Sequence, residues 1–460
     1  MHVLFATAEF EPVVATGGLG AASAGLVAAL RRHGIRVTPV IPGFAPYELE
    51  GEGRVELDVA PWAGSVTVRT GHHAQVGPIA VVDAPGLARP HPYTDPATGG
   101  AWPDNDRRFF TFAAAVAALS RHLGPDVVHL HDWHAAAALA FTATGGPPTM
   151  LSIHNLAHQG WADPEWIDVM GPRGEAFRQL NSVNCLAGAI RLADAVVTVS
   201  PRYAYEITTP EGGHGLDRLL SEHRGKLWGI LNGIDADEWN PSIDEHLHTP
   251  YDAGGFGAKV HNQEALCAEL GLATAPGPLI VAVSRLDYQK GLDLLAEVAW
   301  MLTRIPARIA VLGSGEPDHE AAWRYIAAHG DGRIAFTRGY DLGLAHRMFA
   351  AGDLAVIPSR FEPCGLTQMQ AMRYGTLPIV SDVGGLHDTV VDVDADPVHG
   401  TGVRMHQVSP AGIVDGVHRG VRLVGSAAAA AARHRAMTHD WSWDTAAKGY
   451  LDRYAALVPG

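Results

Sequence analysis

Three consecutive segments near the start of the chain decide its fold: VLFA (3–6), AASAGLVAALRR (21–32) and RVTPVI (36–41). The first and third are short apolar runs of strand length, and the second has the composition and spacing of an amphipathic helix. A strand, a helix and a second strand in this order predict a parallel, doubly wound α/β sheet. The same rhythm recurs in predicted strands at Val127–Leu130, Thr149–Ile153 and Ala195–Val199, with a helix at His134–Thr144.

The alternation restarts in the second half of the chain, after a linker-like segment rich in Gly, Pro and Tyr at Thr249–Gly257. We therefore predict two Rossmann-like domains, an N-terminal one over 1–245 and a C-terminal one over 246–440. The last helix, within 441–460, is expected to cross back to the N-terminal domain. In the second half the predicted elements are the strands Leu279–Val283, Ile309–Leu312, Leu354–Ile357 and Leu377–Val380 and the helices Gly291–Leu302 and Thr367–Tyr374.

Composition limits the classes of function. The residues are 47% hydrophobic and 18% charged, which is the composition of a globular protein. A chain of 460 residues is longer than one hydrophobic core usually supports. A net charge of −15 argues against a nucleic-acid partner, because such partners draw basic surfaces. Cys185, Cys267 and Cys364 are too widely spaced to indicate a disulfide framework or a zinc motif. The sequence shows neither signal-peptide features nor a membrane-length apolar run, so we expect a cytoplasmic protein without membrane association.

The loops after strands carry the candidate chemistry, because ligands of such sheets bind at the carboxyl ends of the strands. The first loop is TGGLG (16–20), which precedes a helix. Glycines let the backbone approach a ligand, and a helix N-terminus offers N–H groups to an anion. A plain strand-to-helix turn explains the same glycines, and both interpretations stay open. The loop lacks the Gly-x-Gly-x-x-Gly fingerprint of a dinucleotide site.

Two further loops in the first half contain histidines. HLHDWH (129–134) invites a metal interpretation, but strand alternation directs His129 and His131 to one face and Asp132 to the other. A sugar-binding loop or a buried, hydrogen-bonded histidine is the better interpretation. In IHN (153–155), His154 and Asn155 suit hydrogen bonding to sugar hydroxyls, and a helix-capping Asn beside a structural His is the alternative.

Two loops in the second half combine charges with a helix N-terminus. VSRLDYQKG (283–291) carries Arg285 and Lys290, which together suit a diphosphate, although a surface ion pair is the default for two such residues. SRFEPCGLT (359–367) carries Glu362, whose carboxylate can accept two neighbouring sugar hydroxyls. An ordinary carboxylate at a helix N-terminus explains Glu362 alone but not the whole string.

Taken in order, these strings resemble the bacterial glycogen synthase and plant starch synthase family over almost the whole chain. The resemblance rests on TGGLG (16–20), HDWH (131–134), IHNLAHQG (153–160), VSPRYAYEI (199–207), GILNGID (229–235), VSRLDYQKG (283–291) and RFEPCGLTQ (360–368).

The resemblance implies a GT-B fold, in which two Rossmann-like domains face a central cleft. It also implies a nucleoside-diphosphate sugar donor, a carbohydrate acceptor, retention of anomeric configuration, and no metal or other cofactor. His154, Arg285, Lys290 and Glu362 would then be catalytic. Donor or nucleotide contacts are expected from Gly17, Gly18, Tyr340, Cys364, Gly365, Leu366 and Thr367, and cleft contacts from Glu9, Asp132, Asn155 and Asn232.

The chain departs from the family mainly in its first half. Ala15 and Ala21 stand where the family has Lys and Asp, and Ala187 replaces a second Lys. His158 replaces an aromatic residue, and Val383 replaces a Thr. The losses in the first half remove cations from the region that orients the acceptor and the transferred group, while the diphosphate string of the second half is intact.

Three functions are therefore kept open. The first is a hexosyltransferase of the glycogen synthase type that tolerates these alanines. The second is a repurposed transferase of specialised metabolism that joins a nucleotide-activated sugar or cyclitol to a small, amino-sugar acceptor. The third is a non-catalytic carbohydrate-binding descendant, which the intact Arg285, Lys290, Glu362 and His154 disfavour. The sequence leaves the nucleotide base, the transferred group and the oligomeric state open.

Overall fold

The computed structural model describes residues 1–458 and divides into two compact units. Unit 1 comprises Met1–Gly233 and the segment from Trp443 onward, and unit 2 comprises Ile234–Ser442. The chain therefore enters and leaves unit 2 once each.

One large sheet forms the centre of unit 1 in the described residues. Its order is β12-β11-β7-β6-β1-β2-β5-β4-β3, with parallel pairing from β12 to β5 and antiparallel pairing of β5, β4 and β3. The parallel strands are added to both sides of β1, which makes the sheet doubly wound. Its strands are β1 His2–Ala6, β2 Arg36–Pro42, β3 Glu50–Leu57, β4 Val66–His73, β5 Gly77–Asp83, β6 Val127–His131, β7 Thr149–Ile153, β11 Ala195–Thr198 and β12 Leu227–Gly229.

A small antiparallel sheet and a set of helices complete unit 1. The small sheet consists of β8 Trp161–Ala162, β9 Arg178–Gln179 and β10 Ser182–Asn184, in the order β8-β10-β9. The helices are α1 Gly18–Arg32, α2 Asn105–Leu123, α3 Asp132–Ala136, α4 Ala138–Phe141, α5 Trp166–Val169, α6 Cys185–Leu192, α7 Pro201–Glu206, α8 Asp217–Glu222 and α17 Trp443–Leu457, with 3-10 turns at Pro61–Ala63, Gly171–Phe177 and Arg224–Lys226.

Unit 2 holds a parallel sheet with the order β15-β14-β13-β16-β17-β18. Numbered within the unit, this is 3-2-1-4-5-6, the Rossmann order, with its switch point between β13 and β16. The strands are β13 Leu279–Val283, β14 Arg308–Gly313, β15 Ile334–Arg338, β16 Leu354–Ile357, β17 Leu377–Ser381 and β18 Val403–Met405. The helices are α9 Lys259–Glu269, α10 Leu292–Leu302, α11 Pro317–Ala328, α12 Leu342–Ala351, α13 Thr367–Arg373, α14 Gly384–Thr389, α15 Pro410–Val424 and α16 Ala428–Thr438, with a 3-10 turn at Phe256–Ala258.

The last helix, α17, is part of the core of unit 1. Trp443, Tyr450 and Tyr454 are buried in the same apolar cluster as Phe5 of β1 and residues of α1. A Cβ atom at Gly25 of α1 would overlap the Trp443 ring, so the glycine gives α17 its close approach to α1. The Tyr454 hydroxyl also bonds to His129 Nδ1 at 2.7 Å.

The domain boundaries predicted at 245/246 and 440/441 differ from those of the structure. The segment that begins at Ile234 belongs to unit 2, because its side chains are anchored there. Trp239 stacks on His346 at 4.0 Å, and Asp244 Oδ2 lies 2.7 Å from His346 Nδ1. The Gly/Pro/Tyr segment read as a linker is therefore internal to unit 2. Its Tyr251 is buried and donates to Tyr374 O.

One predicted helix also differs. His134–Thr144 is replaced by α3 and α4, which divide at Ala137, and α3 begins two residues earlier, at Asp132. The alanine-rich composition supports helix throughout this segment. The sequence therefore gives no signal for the interruption. The functional consequence is that Asp132 starts a helix directly at the carboxyl end of β6.

Candidate active site

Glu9, after β1, organises the glycine-rich loop of unit 1. Its Oε2 accepts hydrogen bonds from the N–H groups of Thr16 at 2.7 Å and Gly17 at 2.9 Å. Its Oε1 accepts one from the Tyr93 hydroxyl at 2.7 Å. The N–H groups of Thr16 and Gly17 are therefore occupied within unit 1. Their partner is a buried carboxylate of the same unit.

Gly17 and Gly18 of this loop have no function in the packing of unit 1. A Cβ atom at Gly17 or Gly18 would meet nothing within 4 Å, and Gly17 has an extended backbone that any residue adopts. Gly20 differs, because its Cβ would crowd Ala15 at 2.9 Å. Two adjacent glycines that neither sterics nor backbone angles require fit a loop that a ligand approaches closely.

Asp132 stands at the carboxyl end of β6 in a left-handed backbone conformation, with φ of 53°. Its Oδ1 accepts the His154 N–H at 2.7 Å, which ties the end of β6 to the end of β7. Burial raises the pKa of Asp132 to about 7, although hydrogen bonds from the N–H groups of His154 and Asn155 oppose the rise. Left-handed backbone at a polar residue is strained and is common at functional sites.

Two histidines of β6, His129 and His131, each make a hydrogen bond to a residue in or directly after β7. His131 Nδ1 lies 2.9 Å from His154 Nε2, and His129 Nε2 lies 2.7 Å from Ser152 Oγ. Burial lowers the pKa of His154 to about 4 and holds that of His131 well below its usual range. His154 is therefore a neutral hydrogen-bonding group at pH 7.

The two candidate asparagines of unit 1 differ in their surroundings. The Asn155 side chain accepts the Ala157 N–H at 3.0 Å, which shapes the loop after β7. Asn232 follows β12 and is buried, and its Oδ1 has no hydrogen-bond partner among residues 1–458. An unpartnered buried acceptor costs about 1–3 kcal/mol, so Asn232 is a natural contact for a ligand hydroxyl.

In unit 2 the loops after β13 and β16, on either side of the switch point, bring Lys290 to Glu362. Lys290 Nζ contacts Glu362 Oε2 at 2.6 Å, and Ser359 Oγ donates to the same oxygen at 3.0 Å. The side chain of Glu362 is 7% exposed and that of Lys290 is 20% exposed, so the ammonium remains accessible. A pocket here is lined by Val283, Ser284, Lys290, Leu292, Val356, Ile357, Pro358, Glu362, Gly365, Thr367 and Gln368.

The backbone around Glu362 is packed against a glycine pair. Gly384, at the start of α14, has φ of 42°, and a Cβ there would overlap the carbonyl oxygen of Glu362. The next residue, Gly385, donates its N–H to Glu362 O at 3.0 Å. Cys364 is buried, and Leu366 and Thr367 form the start of α13. These contacts fix the position of the loop that carries the carboxylate.

Arg285 and Tyr340, which were predicted to contact the donor, lie outside this pocket lining and are exposed. Arg285 pairs with Asp287 at 2.6 Å, and its side chain is 60% exposed. Tyr340 follows β15 and is 85% exposed. The pairing of Arg285 with a carboxylate from its own loop is the alternative that the sequence left open. Arg285 and Lys290 therefore contact different carboxylates, Asp287 and Glu362, and do not show the predicted convergence on one spot.

Two contributing residues were missed by sequence reasoning. Tyr93 lies in an irregular loop 84 positions from Glu9, and no periodic pattern marks it. Ser359 lies three residues before Glu362 in the string SRFEPCGLT (359–367). Its closeness in sequence to Glu362 was the signal that could have identified it as a partner of that carboxylate.

The described residues contain neither a metal cluster nor a membrane-spanning helix. Within 1–458, the His, Cys, Asp and Glu side chains form no group of three or more placed to hold a metal ion. The helices in that range are all too short or too polar to cross a bilayer.

Comparisons with known proteins match both units. Residues 2–222 match the starch synthase catalytic domain family, and residues 277–419 match the glycosyl transferases group 1 family. A glycogen synthase from Acidiphilium cryptum is 39% identical, with 100% of both chains covered. Glycogen synthase 1 from Rhizobium meliloti is 36% identical over 100% of this chain and 99% of its own length.

Solved structures agree with these matches. The catalytic domain of starch synthase IV from Arabidopsis thaliana, solved with ADP and acarbose, has a TM-score of 0.88 and 30% identity. The match covers 100% of this chain and 99% of that chain. A sucrose-phosphate synthase from Thermosynechococcus elongatus, at 17% identity and a TM-score of 0.65, shares the fold. The predicted fold class and family are thus confirmed: the chain belongs to the glycogen synthase family of glycosyltransferases and has the GT-B fold.

Proposed function

We propose that the chain transfers a glucosyl group from a nucleoside-diphosphate glucose to a glucan, with retention of configuration. The observation that carries the proposal is the Lys290–Glu362–Ser359 cluster at the switch point of unit 2, where Rossmann sheets bind their ligands. The solved Arabidopsis starch synthase, which holds ADP and acarbose, supports a nucleotide donor and a carbohydrate acceptor.

The cluster suits the charge that develops as the donor breaks. Cleavage of the bond between the sugar carbon and the diphosphate oxygen leaves negative charge on the diphosphate. Lys290 is accessible and already positioned by Glu362, so its ammonium meets that charge without reorganisation. Arg285, on the same loop, has an exposed guanidinium that a bound diphosphate draws from Asp287. Glu362 retains a second oxygen for sugar hydroxyls.

In unit 1 we assign hydrogen bonding rather than proton transfer to His154. A ring with a pKa of about 4 is neutral throughout the working range of pH. We propose that the acceptor hydroxyl attacks on the face from which the diphosphate departs, and that its proton passes to the leaving phosphate oxygen. Trapping of a covalent glycosyl-enzyme would contradict this path.

We also propose a cytoplasmic location and no resident cofactor, with the nucleotide sugar acting only as co-substrate. Cys185 and Cys267 are buried thiols that form no disulfide within the described residues. Unpaired thiols are the rule in reducing compartments.

The test is release of nucleoside diphosphate by the full-length chain from ADP-glucose and UDP-glucose, with and without glycogen. We expect glycogen-dependent release by the wild type. In Lys290→Met we expect kcat to fall by about 100-fold or more, because one preorganised charge contact is lost. Equal turnover by Lys290→Met would contradict the assignment of this residue.

A second candidate, transfer to a small acceptor, is favoured by the alanines of unit 1. Ala15 is exposed on the glycine-rich loop, and Ala187 is buried in α6, where its N–H is bonded to Asn184. Neither position supplies the cation expected from the family. Donor binding without glycogen-dependent release, together with release in the presence of amino sugars, would select this candidate.

A further inference from the structure

His131 and His154 face each other from neighbouring strands of unit 1. β6 and β7 pair in parallel, with His131 opposite Ser152, and His154 follows the end of β7. The distance from His131 Nδ1 to His154 Nε2 is 2.9 Å, that of a hydrogen bond between two rings. One nitrogen must donate and the other must accept. Because burial lowers the pKa of both rings, each carries a single N–H at neutral pH.

The surroundings of His131 decide which nitrogen donates. The ring is 0% exposed, with its centroid 3.9 Å from that of Phe5 and 4.0 Å from that of His129. Its other nitrogen, Nε2, is buried and has no hydrogen-bond partner among residues 1–458. A proton on Nε2 would be a buried N–H without an acceptor, which is rarer in proteins than an acceptor left unused. The proton of His131 therefore belongs on Nδ1.

The neighbouring His129 shows the contrast. Its Nδ1 bonds to the Tyr454 hydroxyl and its Nε2 to the Ser152 hydroxyl, each at 2.7 Å. Hydroxyl groups both donate and accept, so either tautomer of His129 is satisfied. His131 has no such freedom, and its single hydrogen bond is directional.

We propose that His131 is a positioning residue that fixes His154 as the tautomer protonated on Nδ1. With Nε2 accepting from His131, the proton of neutral His154 lies on Nδ1. His154 thus offers a substrate an N–H donor and no lone pair. The atom it meets is an acceptor oxygen of a sugar or a phosphate, and His154 cannot take the proton of the attacking hydroxyl.

The tautomer assignment stands on the hydrogen-bond geometry of two buried, neutral rings, while its catalytic consequence rests on the proposed function. Full-length protein labelled with 15N-histidine gives the tautomer of each ring from long-range 1H–15N correlations, with the His154 signals identified by their absence in His154→Asn. We expect protonated Nδ1 in the wild type. In His131→Leu we expect the preference to be lost, and in His131→Asn, whose amide reaches the place of Nδ1, we expect it to be restored.

His129→Leu is the matched control, because it removes a ring of equal burial from the same strand without touching the bond to His154. It should leave the His154 tautomer unchanged. In the transferase assay we expect kcat to fall by about 10- to 100-fold in His131→Leu with little change in donor KM, and to recover in His131→Asn.

A wild-type His154 protonated on Nε2, or equal tautomer shifts in His131→Leu and His129→Leu, would overturn the proposal. A correct tautomer in a chain that releases no nucleotide from any donor would refute the proposed function instead. A correct tautomer with unchanged kcat in His131→Leu would refute the positioning role.

Discussion

At the scale of single residues, Asp132 combines a left-handed backbone with a buried carboxyl group whose pKa burial raises to about 7. Both features oppose folding, and both are held in place by the two strand ends that meet there. In the unfolded chain the carboxyl group has its ordinary pKa of 3.8, and in the folded chain it has a pKa of about 7. Between these values the folded chain keeps a proton that the unfolded chain has released, so this group lowers stability as pH rises.

Asp132→Asn should therefore gain stability relative to the wild type as pH rises from 5 to 8, by about 2–3 kcal/mol. Asn tolerates left-handed backbone, and its Oδ1 still accepts the His154 N–H. Urea unfolding followed by tryptophan fluorescence at both pH values measures the difference. Asp163→Asn, at an exposed carboxylate of unit 1, is the control. Equal gains at pH 5 and pH 8 would show that Asp132 is ionised throughout.

The Lys290–Glu362 pair leads to a second prediction. The carboxylate holds the ammonium in place but also competes with phosphate for it. Glu362→Gln should therefore bind ADP about 3- to 10-fold more tightly by calorimetry, while kcat falls about 100-fold because a contact to the transferred sugar is lost. Asp293→Asn breaks a comparable pair with Arg360 outside the pocket lining and should leave ADP affinity unchanged. Weaker ADP binding by Glu362→Gln would show that the Glu362 carboxylate does not compete with the diphosphate for Lys290.

At the scale of elements, the parallel strands β5, β12, β15 and β18 were not predicted, whereas the nine strands that were predicted agree with the structure to within a residue or two of their ends. Their continuous apolar runs leave little room for another assignment. The antiparallel strand β3 was not predicted, because it is almost wholly exposed and alternates charge with glycine. α2 was missed for the opposite reason: residues 108–120 are all buried, so the helix has no polar face to reveal its period.

The site was predictable where its chemistry lies in contiguous strings. Lys290 and Glu362 were identified as members of two separate loops, and their contact follows from the sheet order. The bond of Tyr93 to Glu9 could not be predicted, because it joins an irregular loop to the segment after β1, 84 positions away in the sequence. The hydrogen bond of His131 to His154 was equally hidden, since strand alternation gives the face of a residue but not its partner across strands.

Two glycines at loop–helix junctions should respond differently to the same substitution. Gly384→Ala combines positive φ with overlap of its new Cβ and Glu362 O, so we expect about 2 kcal/mol or more of destabilisation, seen as a melting temperature lowered by several degrees. Gly17→Ala meets nothing within 4 Å and should leave the melting temperature unchanged. If the donor lies against Gly17, the new methyl group of Gly17→Ala obstructs it, and the KM for the donor rises while the melting temperature stays the same. An unstable Gly17→Ala would mean that the loop is already packed.

At the scale of the whole molecule, α17 makes the stability of unit 1 depend on residues at the opposite end of the chain. Trp443→Ala removes a buried ring from the cluster that includes Phe5, at a cost of about 3–5 kcal/mol. Hydrogen exchange should show lost protection in β1 and β6 peptides but not in β13 and β16 peptides, since the latter belong to unit 2. Asp444→Ala, which breaks solvent-accessible contacts with Arg32 and His33, should change neither. Uniform loss of protection would mean that the units unfold together.

The return of α17 to unit 1 has a consequence for synthesis in the cell. When Gly233 leaves the ribosome, the nascent N-terminal unit still lacks Tyr450 and Tyr454, and the whole of Ile234–Ser442 must be translated before they arrive. Translation of that segment takes on the order of ten seconds or more. Unit 2, which is contiguous, has its complete sequence first. The unit that begins the chain is therefore the last to be completed, and until then its unfinished core is a substrate for chaperones.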